Sequence, residues 1–179
     1  MNGEFTNNSN QILWPNRYAQ ANCHVDVLNE LEMPSEPEVV WAWLIRAQLW
    51  PTWYPNSANM RFIVGQPPDL ALGTRFKWKT GFFNPDTGKA TAFSVTVDCK
   101  VQEFLPPERL AYEFNATGDS GYQAWLIEKT ETGCRVLTEE RQRGFLTRLV
   151  KALAQNRMVK QHQLWLETLK DNAAKGLPP

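Results

Sequence analysis

The sequence lacks most of the features that would assign a chemistry at first sight. It carries no net charge, with 19 lysines and arginines against 19 aspartates and glutamates. That balance removes the electrostatic footprint of a duplex nucleic-acid binder, so no nucleic-acid partner is expected. Cysteine is scarce: Cys23, Cys99 and Cys134 are odd in number, far apart and never spaced as C-x-x-C. Neither a disulfide framework nor a zinc site is signalled, and buried thiols are expected. Cys23 and His24 are neighbours, but on a strand they point to opposite faces and cannot share a metal. No run of about 18 apolar residues occurs, which excludes a membrane-spanning helix. The polar N-terminus has neither a basic start nor an apolar core, so no signal peptide is read and a cytoplasmic location is expected. Gly118-Asp119-Ser120-Gly121 reads as a turn and lacks the lysine of a phosphate loop. No metal cluster and no Ser–His or Cys–His triad emerges, and no cofactor is implied.

What is present is aromatic. Hydrophobic residues make up 42% of the chain, with 8 Trp, 4 Tyr and 9 Phe. A chain of this length buries roughly 70% of its unfolded surface, enough for a core without staples. No Gly/Ser-rich or charge-rich stretch divides it. We read 1–20 as an N-terminal extension anchored by Ile12, Leu13, Trp14 and Tyr18, and 21–179 as one domain.

Residues 22–33 alternate Cys23, Val25, Val27, Leu31 and Met33 against His24, Asp26, Glu30 and Glu32, a half-buried strand. Ser35 and Glu38 form a capping-box pattern with Pro37 in the first turn. The helix over 39–45 is apolar all round, hence buried. Trp50-Pro51-Thr52-Trp53-Tyr54-Pro55 is a second, shorter helix or turn. Strands follow over 59–64, 73–80, 92–104, 110–115, 121–130 and 133–143, with turns at Asn84-Pro85-Asp86-Thr87-Gly88 and Glu131-Thr132-Gly133. Their close spacing favours an antiparallel meander.

The C-terminal region is helical with two apolar faces. Leu146, Leu149, Val150 and Leu153 share one; Met158, His162, Trp165, Leu166 and Leu169 share the other. The faces lie roughly 170° apart, which one straight helix cannot bury against one sheet. The pattern predicts a break near Gln155-Asn156, with Asn156 capping a helix over 157–174. Arg148, Lys151, Arg157, Lys160 and Lys170 point in scattered directions on such a helix, as on a solvated surface.

The order of elements resembles the START-like superfamily of helix-grip domains, which includes the polyketide cyclase/dehydrase and lipid transport family and the Bet v 1-like proteins. The resemblance rests on Pro34-Ser35-Glu36-Pro37-Glu38-Val39-Val40-Trp41, on Trp50-Pro51-Thr52-Trp53-Tyr54-Pro55, and on Val101-Gln102-Glu103-Phe104-Leu105-Pro106-Pro107-Glu108-Arg109-Leu110. Gly133-Cys134-Arg135-Val136-Leu137-Thr138 and the closing helix 164–170 complete it. It implies an α+β helix-grip fold: a curved antiparallel sheet of about seven strands around a long C-terminal α-helix, with two short helices after the first strand. It also implies a cavity for a lipid-like, polyketide-like or other apolar molecule, and no shared catalytic residues.

Strand alternation turns Phe76, Trp78, Phe93, Val95, Tyr112 and Phe114 inward, as candidate ligand-binding residues. Trp53, Tyr54 and Trp165 are candidates for the rim or floor. Thr138 and Glu140 share one face of the last strand, and His162 lies in the apolar stripe of the last helix. Arg157 is placed to meet a ligand carboxylate or to pair with an acid such as Glu139. Three functions follow: a binder of an apolar or aromatic small molecule, a cyclase or dehydratase using Tyr112, Glu140 or His162 for proton transfer, and an interaction module. In the last, Phe82, Phe83 and the N-terminal aromatics would contact a partner or a second copy, giving a homodimer.

Overall fold

The structure, a computed structural model, describes residues 12–81 and 94–179. Strand β1 (Val25–Met33) leads into helices α1 (Pro37–Ile45) and α2 (Trp50–Trp53). Six strands follow: β2 (Ala58–Val64), β3 (Arg75–Thr80), β4 (Val95–Leu105), β5 (Arg109–Ala116), β6 (Asp119–Thr130) and β7 (Gly133–Gly144). Helices α3 (Phe145–Leu149) and α4 (Lys151–Ala173) close the chain. The sheet is antiparallel throughout, in the order β1-β7-β6-β5-β4-β3-β2. This is the helix-grip fold that the strand spacing and resemblance imply. The predicted turn at 84–88 lies outside the described residues, as do Phe82 and Phe83.

Local chemistry explains the elements and corrects several boundaries. β1 begins at Val25, because Gln20–Asn22 forms a 3₁₀ turn. The residue capping α1 is Glu36 rather than Ser35, and no side chain bonds the helix start. Pro37 occupies the first turn, where a missing N–H removes no helical bond. Thr130 pairs with Gly133, so Glu131-Thr132 forms a two-residue hairpin loop. Between Val101↔Tyr112 and Glu103↔Ala111 the register shifts by one residue, Gln102. A bulge of this kind bends and twists its strand.

The predicted break at Gln155-Asn156 is absent. The chain turns at Val150 instead (φ −112°), and α4 runs unbroken from Lys151. The prediction assumed that both apolar faces are buried. Only Met158, His162, Trp165, Leu166 and Leu169 are; Leu146, Leu149, Val150 and Leu153 stay exposed, so α4 has one face to satisfy.

The core lies between the concave face of the sheet and α4. Trp50 is fully buried at its centre and donates its indole N–H to the Leu44 carbonyl at 2.9 Å. Phe76, Trp78 and Trp165 meet it nearly edge-on at ring separations of 5.8, 5.3 and 5.2 Å. Tilted and edge-to-face contacts are the favourable arrangement of ring quadrupoles.

On the outer face, residues 12–22 cross the sheet. Ile12 and Tyr18 are buried against Ala111, Tyr122, Ala124, Leu126 and Leu137. Tyr18 donates its hydroxyl to Glu113 at 2.7 Å. The Arg141 guanidinium lies 3.8 Å over the Trp14 ring and pairs with Glu139 at 2.8 Å.

Candidate functional site

Register builds the site. Tyr112 pairs with Gln123, and Gln123 pairs with Glu140, so three polar residues stand abreast on β5, β6 and β7. Alternation turns all three to the concave face. Tyr112 donates to Gln123 Oε1 at 3.0 Å, and Gln123 Nε2 donates to Thr138 Oγ1 at 3.0 Å. Thr138 in turn donates to the Ala124 carbonyl at 3.3 Å. This fixes the direction of the chain of donors from the phenol to the backbone.

From the opposite side α4 brings His162, whose Nε2 lies 3.1 Å from Glu140 Oε2 and 3.5 Å from Gln123 Nε2. Gln142 donates to the other Glu140 oxygen at 2.6 Å. With Glu140 as a carboxylate, His162 donates through Nε2 and its Nδ1 has no partner among the described residues. His162 and Gln123 are almost fully buried, and Glu140 is 7% exposed. Burial holds the Tyr112 phenol well above its usual range, so it stays a hydrogen-bond donor. Burial raises Tyr54 likewise, and keeps Cys99 a thiol.

Beside this row the sheet and α4 enclose a cavity of about 480 Å³. Its walls include Tyr54, Trp78, Val95, Val97, Tyr112, Phe114, Gln123, Glu140, Met158, His162 and Trp165. Leu146 and Val95 line it while remaining about half exposed, which locates the mouth between α3 and the start of β4. Gly121 shapes the floor. A Cβ there would collide with the Phe114 ring and come within 2.9 Å of the Arg141 carbonyl, so only glycine lets Phe114 lie across β6. Gly144 (φ +146°) makes the left-handed turn from β7 into α3, where a side chain would strike Asp119.

Of the residues singled out from the sequence, Tyr54, Trp78, Val95, Tyr112, Phe114, Glu140, His162 and Trp165 line the cavity. Four others do not. Phe76 is spent in the core, edge-on to Trp50 and Tyr112. Trp53 packs against Trp43 at 89°. Thr138 is fully buried behind Gln123 and acts through it. Arg157 is half-buried in the second turn of α4, because the helix begins six residues earlier than predicted. Nor can it pair with Glu139, which faces the outer side and binds Arg141. Phe93 lies outside the described residues. Gln123 was missed. Its signal was present: Gly121, Gln123, Trp125 and Ile127 share one face, and a polar residue in such a row requires a buried partner. Among the described residues no cluster of potential metal ligands occurs.

Comparison with known proteins agrees with this geometry. No curated protein matches the chain. A hypothetical protein of Helicobacter pylori is similar at 28% identity, over 90% of this chain and 95% of that one, with a TM-score of 0.76. Two more distant structures share the fold. The di-domain ARO/CYC protein StfQ of the steffimycin biosynthetic pathway has 16% identity over 84% of this chain and 51% of its own, with a TM-score of 0.65. Ara h 8.0201 has 13% identity over 84% of this chain and 98% of its own, with a TM-score of 0.63. Residues 24–174 match the family described as polyketide cyclase/dehydrase and lipid transport. The chain therefore belongs to that family, within the START-like superfamily of helix-grip domains.

Proposed function

We propose that this protein binds an apolar, lipid-like or polyketide-like small molecule that carries oxygen along one edge. The observation that carries the reading is the asymmetry of the cavity. Tyr112, Gln123, Glu140 and His162 form one hydrogen-bonded row, whereas Tyr54, Trp78, Val95, Phe114 and Met158 present ring and aliphatic surface; Thr80, Thr96, Thr117, Asp119 and Gln161 also line the cavity, outside that row. A volume of about 480 Å³ falls in the range of small-molecule sites. Apolar walls supply burial energy, and a few placed polar groups fix orientation. His162 Nδ1 and Trp165 Nε1 have no hydrogen-bond partner among the described residues, and both side chains line the cavity. Native mass spectrometry of the purified protein tests the reading, together with thermal shifts using a tricyclic aromatic ketone and a fatty acid. A ligand at a hundred times its Kd should add about 2.7 kcal/mol of stability. No co-purifying molecule and no shift with either probe would remove the reading.

A second reading, acid–base catalysis of cyclisation or dehydration, is favoured by the His162–Glu140 pair at 3.1 Å. In it His162, oriented by Glu140, takes a proton from the carbon beside a ligand carbonyl, and the neutral Tyr112 phenol swings its one proton from Gln123 to that carbonyl. The family description and the ARO/CYC designation of StfQ support this. Deuterium uptake at that carbon in D₂O should appear with the native protein and vanish in His162→Phe. Uptake unchanged by the substitution would discard the catalytic reading and leave the binding one intact.

A further inference from the structure

The segment from Phe145 to Leu153 is at odds with its position beside a core. Phe145, Leu149 and Leu153 are 67%, 65% and 53% exposed, and Leu146 and Val150 are about half exposed. α3 rests on the end of the sheet through the buried Thr147, whose N–H meets Asp119 at 3.0 Å, and turns Phe145 and Leu149 outward, while the first turn of α4 leaves Leu153 exposed. Arg148 and Lys151 are exposed within the same stretch. No acidic residue occurs between Glu140 and Glu167, whereas Arg141, Arg143, Arg148, Lys151, Arg157 and Lys160 do. Arg141 and Arg143 belong to β7, and on one straight helix Arg148, Lys151, Arg157 and Lys160 scatter; the bend at Val150 sets Arg148 and Lys151 beside the apolar patch.

We infer that the lip formed by α3 and the first turns of α4 docks on an anionic lipid surface, with the cavity mouth against it. Exposed apolar side chains flanked by cations are the pattern of a helix that lies in a membrane interface. The patch is continuous with the cavity, because Leu146 belongs to both. A second copy of this chain fits less well. A two-fold interface on this lip would set its cations against each other with no acid in the segment to answer them. The inference goes beyond cavity binding and does not depend on what occupies the cavity.

Flotation of the full chain with vesicles tests it. The protein should float with phosphatidylcholine/phosphatidylglycerol vesicles at low salt and remain behind with phosphatidylcholine alone. Leu149→Ser with Leu153→Ser should weaken partitioning by more than about a hundredfold. Arg148→Gln with Lys151→Gln should weaken it about thirtyfold and flatten its salt dependence. All four positions are exposed, so circular dichroism should show the fold retained, and Lys100→Gln, on the sheet, should float as the native protein does. Absence of flotation with anionic vesicles, equal flotation with neutral ones, or flotation unchanged in both double variants would overturn the inference. So would self-association, seen by light scattering without flotation, that the leucine substitutions abolish; that result would assign the lip to a second copy.

Discussion

The two ends of the grip use the same sheet and the same helix to opposite effect. At one end, Trp50 is enclosed by Phe76, Trp78, Tyr112 and Trp165, and Trp125 lies against Trp165 at 5.0 Å, so the concavity is filled. At the other end the strands carry Phe114, Gln123 and Glu140, and α4 carries Met158 and His162, leaving a cavity of about 480 Å³. The partition between them is aromatic. Tyr54 stacks on Trp165 at 4.4 Å with planes 11° apart, and both line the cavity. A curved sheet and one helix do not by themselves make a cavity. Large rings fill the concavity wherever α2 reaches it, and it stays open beyond that reach.

Substitutions at each end should separate the two roles. Trp50→Ala removes the centre of the filled end and should cost about 3–5 kcal/mol, or abolish cooperative unfolding, in urea titrations. Gln123→Leu at the open end should cost about 1–3 kcal/mol, because the Tyr112 and Thr138 hydroxyls lose their buried partner. In thermal-shift assays it should also weaken ketone ligands more than hydrocarbon ones. Equal losses for both ligand types would show that the polar row orients nothing.

Glu139 sharpens the comparison from behind the sheet, since it neighbours Glu140 in sequence but faces outward. Burial, aided by Asp26 and opposed by Arg141, raises its carboxyl from 4.5 to about 7. Between those values the folded protein holds more protons than the unfolded chain, so this group's contribution falls as pH rises through that window and is level above it. The stability of Glu139→Gln relative to the native protein should therefore grow from about pH 4.5 to about 7 and then stay constant. A pH-independent difference, from denaturation at several pH values, would refute the assignment. The smallest effect is expected at the mouth: Val95→Ala, half exposed, should change stability by less than about 0.5 kcal/mol.

Particular residues show why some of this was legible in the sequence. Alternation placed Trp78, Val95, Tyr112, Phe114 and Glu140 on the concave face, because strand geometry assigns a face to each position. The helical stripe placed His162 and Trp165 for the same reason. Alternation could not tell cavity wall from core filler: Phe76 and Trp78 share one face two residues apart and both meet Trp50, yet Trp78 reaches the cavity and Phe76 does not. Alternation gives Gln123 its face but not its partners, which lie 11, 15 and 39 residues away. The break in the C-terminal helix was misplaced because periodicity was assumed to mean burial, and the face from Leu146 to Leu153 is apolar without being covered.

The sequence alone determined the elements, their order, the face each side chain takes and the aromatic character of the interior, since these follow from local periodicity and turn chemistry. Only the tertiary structure decided where the grip is filled and where it is hollow. It alone joined Tyr112, Gln123, Glu140 and His162 into one network, and left the α3–α4 lip uncovered. Those outcomes depend on register between strands and on which rings α2 delivers, and no local pattern encodes distances between segments far apart in the chain.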